Sequence, residues 1–314
     1  MAHYTTFEMF NHLLKKSLVL LVSLFIVATI TFFCMHAIPG DPFTDEEAIP
    51  QEILDALYHH YHLDEPLLVQ YGHYLKKILV FDFGPSLKYQ GRSASSIIKE
   101  GFPVSFVLGI EALCLSVFFG VLLGSISALK KGKFPDHVSR FISLIGISVP
   151  SFILATILQY VLSMKFDLFP VARWGTFSHT VLPALSLAAL PTAFIARLTR
   201  SSLIEVLQQD YILTARAKGL STFQIMTGHA LRNAILPVVT YLGPLASSIL
   251  TGSFVIEKLF GIPGLGQWFV MSVMNRDYSL IMAITLFYSA FLMTAVYIVD
   301  ILYYFIDPRM RKAL

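Results

Sequence analysis

Charge is scarce in this sequence. Only 14% of its residues are Asp, Glu, Lys or Arg, and 55% are hydrophobic; soluble domains carry about a quarter charged residues. The net charge of +3 is too small to imply nucleic acid as a partner. Cysteine is nearly absent. Cys34 and Cys114 both lie within apolar runs, so no disulfide framework or zinc site is indicated. Several motifs that carry chemistry are missing too. There is no G-x-x-x-x-G-K-[ST] run, so the chain brings no phosphate-cradling loop of its own. There is no H-E-x-x-H, no G-x-S-x-G and no C-x-x-C, which weakens an enzymatic reading. The first apolar run is too long for a cleavable signal and lacks a small-residue cleavage site.

Long apolar runs fill the chain instead, and the mean hydropathy is +0.68. A membrane-crossing helix needs about 20 mostly apolar residues. Six stretches qualify: 17–38, 102–129, 141–164, 180–196, 233–256 and 279–306. Pro150 breaks the third, Pro183 and Pro191 lie in the fourth, and Pro237 and Gly243-Pro244 lie in the fifth. The expectation is an all-α integral membrane protein with six transmembrane helices. Lys and Arg set its orientation. Fourteen of the 23 fall in the N-terminus, in 130–140, in 197–232 and in the C-terminal tail, so both termini are expected to be cytoplasmic. The organisation that follows is a first span over 1–38, an extracytoplasmic segment over 39–101, a five-helix core over 102–306 and a tail over 307–314.

The segment 39–101 carries helical spacing at Ile53, Leu54, Leu57 and Tyr61, which predicts one or two small helices on the outer surface. Its histidines, His59, His60, His62 and His73, match no standard metal spacing and read as solvated surface groups.

Glu111 lies deep in the second span, and an intramembrane carboxylate is costly. It is a candidate to line a translocation path or relay a proton; the competing reading is a pair across helices or a place near the interface. Asp300 lies close to the end of its span and fits the interface. Prolines such as Pro150 and Pro244, the latter beside Gly243, can mark helices that rock or break during transport; the competing reading is that prolines are common in any membrane helix. The run "FGIPGLGQWF" at 260–269 reads as a tight, ordered loop.

The stretch "TARAKGLSTFQIMTGHALRNAILP" at 214–237 is polar and helix-forming between two apolar spans. Asp210 is placed to cap a helix over 211–218. Gly219 is placed to end it in the left-handed region. Ser221 and Gln224 have capping-box spacing for a second helix that runs into the fifth span. Small residues (Ala215, Ala217, Gly219) allow a partner to approach closely, and Arg216 and Lys218 offer charge to orient it. An amphipathic surface on anionic lipid is the alternative.

"ARAKG" at 215–219 followed by "ILP" at 235–237 resembles the EAA loop of bacterial ABC importer permeases. It departs from that pattern at the first position, which is not Glu, and in the shortened ending; the A-R-A-K-G-L form is similar to the dipeptide/oligopeptide branch. Further similarities follow in order: "IPGDPF" at 38–43, "FDFGPS" at 81–86, "LPALSL" at 182–187, "FGIPGLG" at 260–266, "RDY" at 276–278 and "DPRMR" at 307–311. The resemblance implies a type I ABC importer permease fold in the bacterial cytoplasmic (inner) membrane. It implies a second homologous permease, two ATPase subunits that bind ATP and Mg²⁺, and a periplasmic or lipoprotein substrate-binding protein as partners. Ala215, Arg216, Ala217, Lys218, Gly219 and Leu220, with Ile235, Leu236 and Pro237, would couple the loop 200–232 to the ATPases. No cofactor is expected in this chain. Short peptides are the implied cargo, with nickel or glutathione as alternatives in the same family. A stand-alone ion-coupled carrier using Glu111 is the alternative from another class.

Overall fold

The computed structural model describes residues 6–37, 51–60, 62–250 and 252–306. Four helices are long and apolar enough to cross a membrane, and two bent helix pairs bring the number to six among the described residues. "IPGDPF", "DPRMR", Tyr61 and the side chains of Ile53, Leu54, Leu57 and Asp300 lie outside the described residues. The chain divides into two compact units, Met1–Pro103 with Leu265–Thr294, and Val104–Gly264 with Ala295–Leu314.

The first unit begins with α1 (Thr6–Ala37). Most of its apolar side chains are exposed, as lipid contact requires, while Ala28, Phe32 and Met35 form a narrow buried stripe at helical spacing. Two short helices follow, α2 (Gln51–His60) and α3 (Leu67–Leu79), in line with the small helices expected from the segment's periodicity. Tyr71 and Tyr74 of α3 pack on Phe32, and Tyr71 shares a 2.7 Å hydrogen bond with Thr29. α4 (Ala94–Leu129) begins in this unit and continues in the second. It starts eight residues earlier than the apolar run at 102–129, because Ala94, Ile97 and Ile98 pack against Leu265, Leu280 and Ile284. α13 (Leu265–Met274) and α14 (Tyr278–Ile306) supply those partners.

In the second unit, α5 (Phe134–Ser148) and α6 (Ser151–Leu158), the latter extended by a wide π-helical turn to Lys165, meet at 109°. The third apolar run is therefore no straight span. Pro150 lacks an N–H, and Val149 before it is forced into an extended conformation, φ −92° and ψ 119°. α7 (Phe177–Val206) runs unbroken through Pro183 and Pro191. It continues ten residues past the expected end at 196, so Arg197 to Val206 belong to the helix and the connecting loop is shorter than 200–232. Gly120 and Gly124 of α4 explain how closely α7 packs: a Cβ at either would sit 2.6 Å from Ile195 or from Ala196 and Thr199. α8 (Asp210–Ala217), α9 (Thr222–Ile225), a π turn over 226–230 and α10 (Leu231–Ala234) lead to α11 (Leu236–Leu250). The helix 222–234 meets α11 at 51°. α12 (Phe254–Phe260) closes the unit.

Candidate coupling loop and buried carboxylates

The loop between α7 and α11 follows local rules closely. α8 ends where Gly219 adopts φ +81°. There the Leu220 N–H reaches back to Ala215 C=O at 3.3 Å and the Gly219 N–H to Arg216 C=O at 2.9 Å, the paired bonds of a Schellman ending. Ser221 accepts from the Gln224 N–H, and the Gln224 side chain accepts from the Ser221 N–H, so the capping box forms at α9. Asp210 does not cap. Gln209 holds the cap position without a side-chain bond, and Asp210 is the first helical residue, its charge set against the positive end of the helix dipole.

The loop is anchored from beneath. Ile212, Ala215, Ile225, Met226, Ala230 and Ala234 pack with Leu203 of α7 and Ala128 of α4. Asn233 donates to the Tyr211 hydroxyl at 2.9 Å and ties α10 to α8. This separates the residues read as one site. Ala215 is buried in the packing and is not available to a partner. Arg216, Ala217, Lys218 and Gly219 are exposed, and Leu220 is half-buried. Neither Arg216 nor Lys218 forms an ion pair among the described residues. Ile235 sits at the bend before α11, with Leu236 and Pro237 exposed in its first turn, where a proline costs no hydrogen bond.

Glu111 lies midway along α4, and its Oε2 is buried with no hydrogen-bond partner. Pro150 is exposed at the α5–α6 break, Gly243 is buried in α11, and Pro244 beside it is exposed. The four lie on three elements of the second unit: α4, the α5–α6 break and α11. Three of the four histidines are matched with acids: His59 with Asp64 at 3.0 Å, and His62 and His73 with Glu65 at 2.9 and 3.4 Å. No group of metal-ligating side chains occurs among the described residues.

Three buried carboxylates, Asp136, Glu257 and Asp277, escaped the sequence reading. Asp277 is fully buried. It accepts from the Ser86 hydroxyl, from the Leu87 N–H at 3.2 Å and from the Leu280 N–H at 3.1 Å, where it caps α14. Arg276 before it holds φ +55°. The motifs "FDFGPS" and "RDY" thus meet at one knot, which Asn275 extends by donating to the Tyr89 hydroxyl at 3.1 Å. Glu257 of α12 is also fully buried and accepts from the Ser105 hydroxyl at 2.7 Å. Gly252 and Gly264 make room for it, since a Cβ at either would lie 2.4 or 2.5 Å from its carboxylate. The available signal was an acid in an apolar stretch with a glycine on each side.

Known proteins agree with this architecture. Residues 120–312 match the family described as binding-protein-dependent transport system inner membrane component, and residues 9–102 match the N-terminal family of such membrane components. The dipeptide transport system permease protein DppB of Bacillus subtilis is 48% identical over 303 residues, covering 96% of this chain and 98% of that protein. The oligopeptide transport system permease protein OppB of Haemophilus influenzae is 43% identical over 305 residues, covering 96% of this chain and all of that protein. Among solved structures, an amino acid ABC transporter with histidines aligns with a TM-score of 0.51 at 17% identity, over 66% of this chain and 93% of that one. The MetNI methionine ABC transporter in inward-facing form aligns with a TM-score of 0.50 at the same identity and coverage, so the fold is shared. A stand-alone carrier built on Glu111 has no support beside these matches. The chain belongs to the family of inner membrane components of binding-protein-dependent transport systems.

Proposed function

We propose that this chain is one of two permease subunits of an ATP-driven importer for di- and oligopeptides. The observation that carries the reading is the loop itself: a rigid, capped helix corner that presents Arg216, Ala217, Lys218 and Gly219 outward and rests on the ends of α4 and α7. A partner gripping such a corner moves α7 and α11 as one body. Spans that alternate between two packings need a ligand that prefers one of them. ATP held with Mg²⁺ in two partner ATPases supplies one bias, and a loaded substrate-binding protein on the opposite membrane face supplies the other. The second permease completes the path. Glu111, Pro150, Gly243 and Pro244 are its candidate lining in this chain. The names of the 48% and 43% identical relatives support peptides as cargo. The acid-matched histidines add nothing toward nickel.

The test is uptake in vesicles that hold this chain with its partner permease, both ATPases and the binding protein. Labelled dipeptide accumulates only with ATP and the binding protein, and Gly219→Val stops it while assembly persists. Accumulation of Ni²⁺ without peptide, or peptide uptake without ATP, overturns the proposal.

A further inference from the structure

We propose that the cavity between α4, α5 and α7 binds the phosphate of an anionic phospholipid. The cavity measures about 470 Å³. Arg140, Arg197, Arg200 and His137 line it, together with the buried Ser127 and Ser139. The three arginines are not equivalent. Arg200 donates from Nε and from its terminal nitrogen to the two carboxylate oxygens of Asp136, each at 2.9 Å. The Ser127 hydroxyl and the Gly132 N–H also donate to that carboxylate. Asp136 is therefore fully engaged and cancels the charge of Arg200. Arg140 and Arg197 line the same cavity, and neither has an ion-pair or hydrogen-bond partner among the described residues. The result is a fixed Arg200–Asp136 pair beside two uncompensated guanidinium groups, whose planar forks match phosphate oxygens in pairs.

The surroundings point to a lipid rather than a free phosphate. Phe141 and Leu144 line the cavity beside Arg140 and are 63% and 50% exposed, and Ile145, one turn on from Phe141, is 41% exposed. A headgroup between Arg140 and Arg197 would continue into acyl chains along this apolar face of α5. A free anion leaves that face unused. Lys130, Lys131 and Lys133, in the turn from α4 to α5, lie at the basic end of these spans. Basic pockets between transmembrane helices near such an end are where anionic headgroups settle.

The test uses the purified full transporter, stripped of lipid in detergent and followed by thermal unfolding of this subunit. Micelles carrying phosphatidylglycerol should raise Tm in a saturable way, while phosphatidylcholine micelles and inorganic phosphate should not. In Arg140→Gln/Arg197→Gln the apparent affinity for phosphatidylglycerol should fall roughly twenty-five-fold, about fivefold for each arginine near an anionic headgroup. Lys130→Gln/Lys131→Gln, which removes charge outside the cavity, should weaken binding less than the arginine variant does. Because the two arginines are unpaired, their loss should leave the lipid-free Tm in place; if the double variant nevertheless fails to fold, Arg140→Lys is read instead and should weaken binding while keeping the fold. Equal shifts with both lipids, an equal response from the arginine variants, or an equal loss in the lysine variant would overturn the proposal. A shift with inorganic phosphate matching that with lipid would make the site one for free phosphate and would overturn the lipid assignment.

Discussion

Two regions of this protein are built on opposite principles. The loop over 210–237 is assembled from neighbours in sequence. A glycine ending, a capping box and a tyrosine–asparagine contact spanning 22 residues account for its form. The knot at Asp277 is assembled from residues far apart. Its bonds join positions separated by 191 and 186 residues. The loop keeps Arg216 and Lys218 outward with no ion pair among the described residues, whereas the knot bonds Asp277 to Ser86 and Asn275 to Tyr89. A surface meant for a partner has to leave its charges free. A joint meant to hold two distant stretches together has to satisfy them internally, because a buried polar atom without a partner is costly.

The contrast is open to attack by mutation. The largest effect should come from Asp277→Ala. It strands the Ser86 hydroxyl and the Leu87 and Leu280 N–H groups, and the expected loss is about 3 kcal/mol or more, read as a drop in thermal stability with early proteolysis near residues 82–93. Gly219→Val should cost less stability and more function. A Cβ at Gly219 meets nothing within 4 Å, so the penalty is that of a left-handed conformation alone, about 1–2 kcal/mol. Uptake should nevertheless stop. Ser221→Ala removes one cap and should cost about 1 kcal/mol, visible as faster amide exchange over 221–226 with uptake reduced rather than lost. The smallest effect concerns Asp64, whose carboxyl is held below the usual carboxylate range chiefly by the hydrogen bond from His59. A depressed folded-state value means the contribution is present above the unfolded carboxylate's pKa and is lost as pH falls through the folded one. A carboxylate NMR titration should place the Asp64 midpoint below the ordinary one, and His59→Ala should return it. A loop variant that unfolds the protein, or an Asp277 variant that leaves stability untouched, would erase the distinction between the two regions.

The same distinction explains what could be read in advance. The six apolar runs and the helix–glycine–helix corner at Gly219 and Ser221 were legible, because hydropathy and capping act over short distances. The 109° turn at Pro150 was half legible: proline announced a break but not its angle. The continuation of α7 through Arg197 and Arg200 was not legible. It depends on Asp136, 64 residues earlier, to satisfy Arg200. Ala215 read as a contact residue because small size is visible in sequence and direction is not. Asp277 and Glu257 stayed hidden for a related reason. An acid's burial is decided by the donors that reach it, and Ser86 and Ser105 reach them from elsewhere in the chain.

The most direct measurement is affinity purification of this chain in mild detergent, with its partner subunits quantified by mass spectrometry, for the unchanged protein and for Arg216→Glu/Lys218→Glu. Charge reversal at the exposed corner should strip the ATPases from the complex while the second permease stays bound and membrane levels of this chain hold steady. Recovery of equal amounts of ATPase with both proteins, or of none with the unchanged one, would contradict the assignment of this corner as the coupling surface.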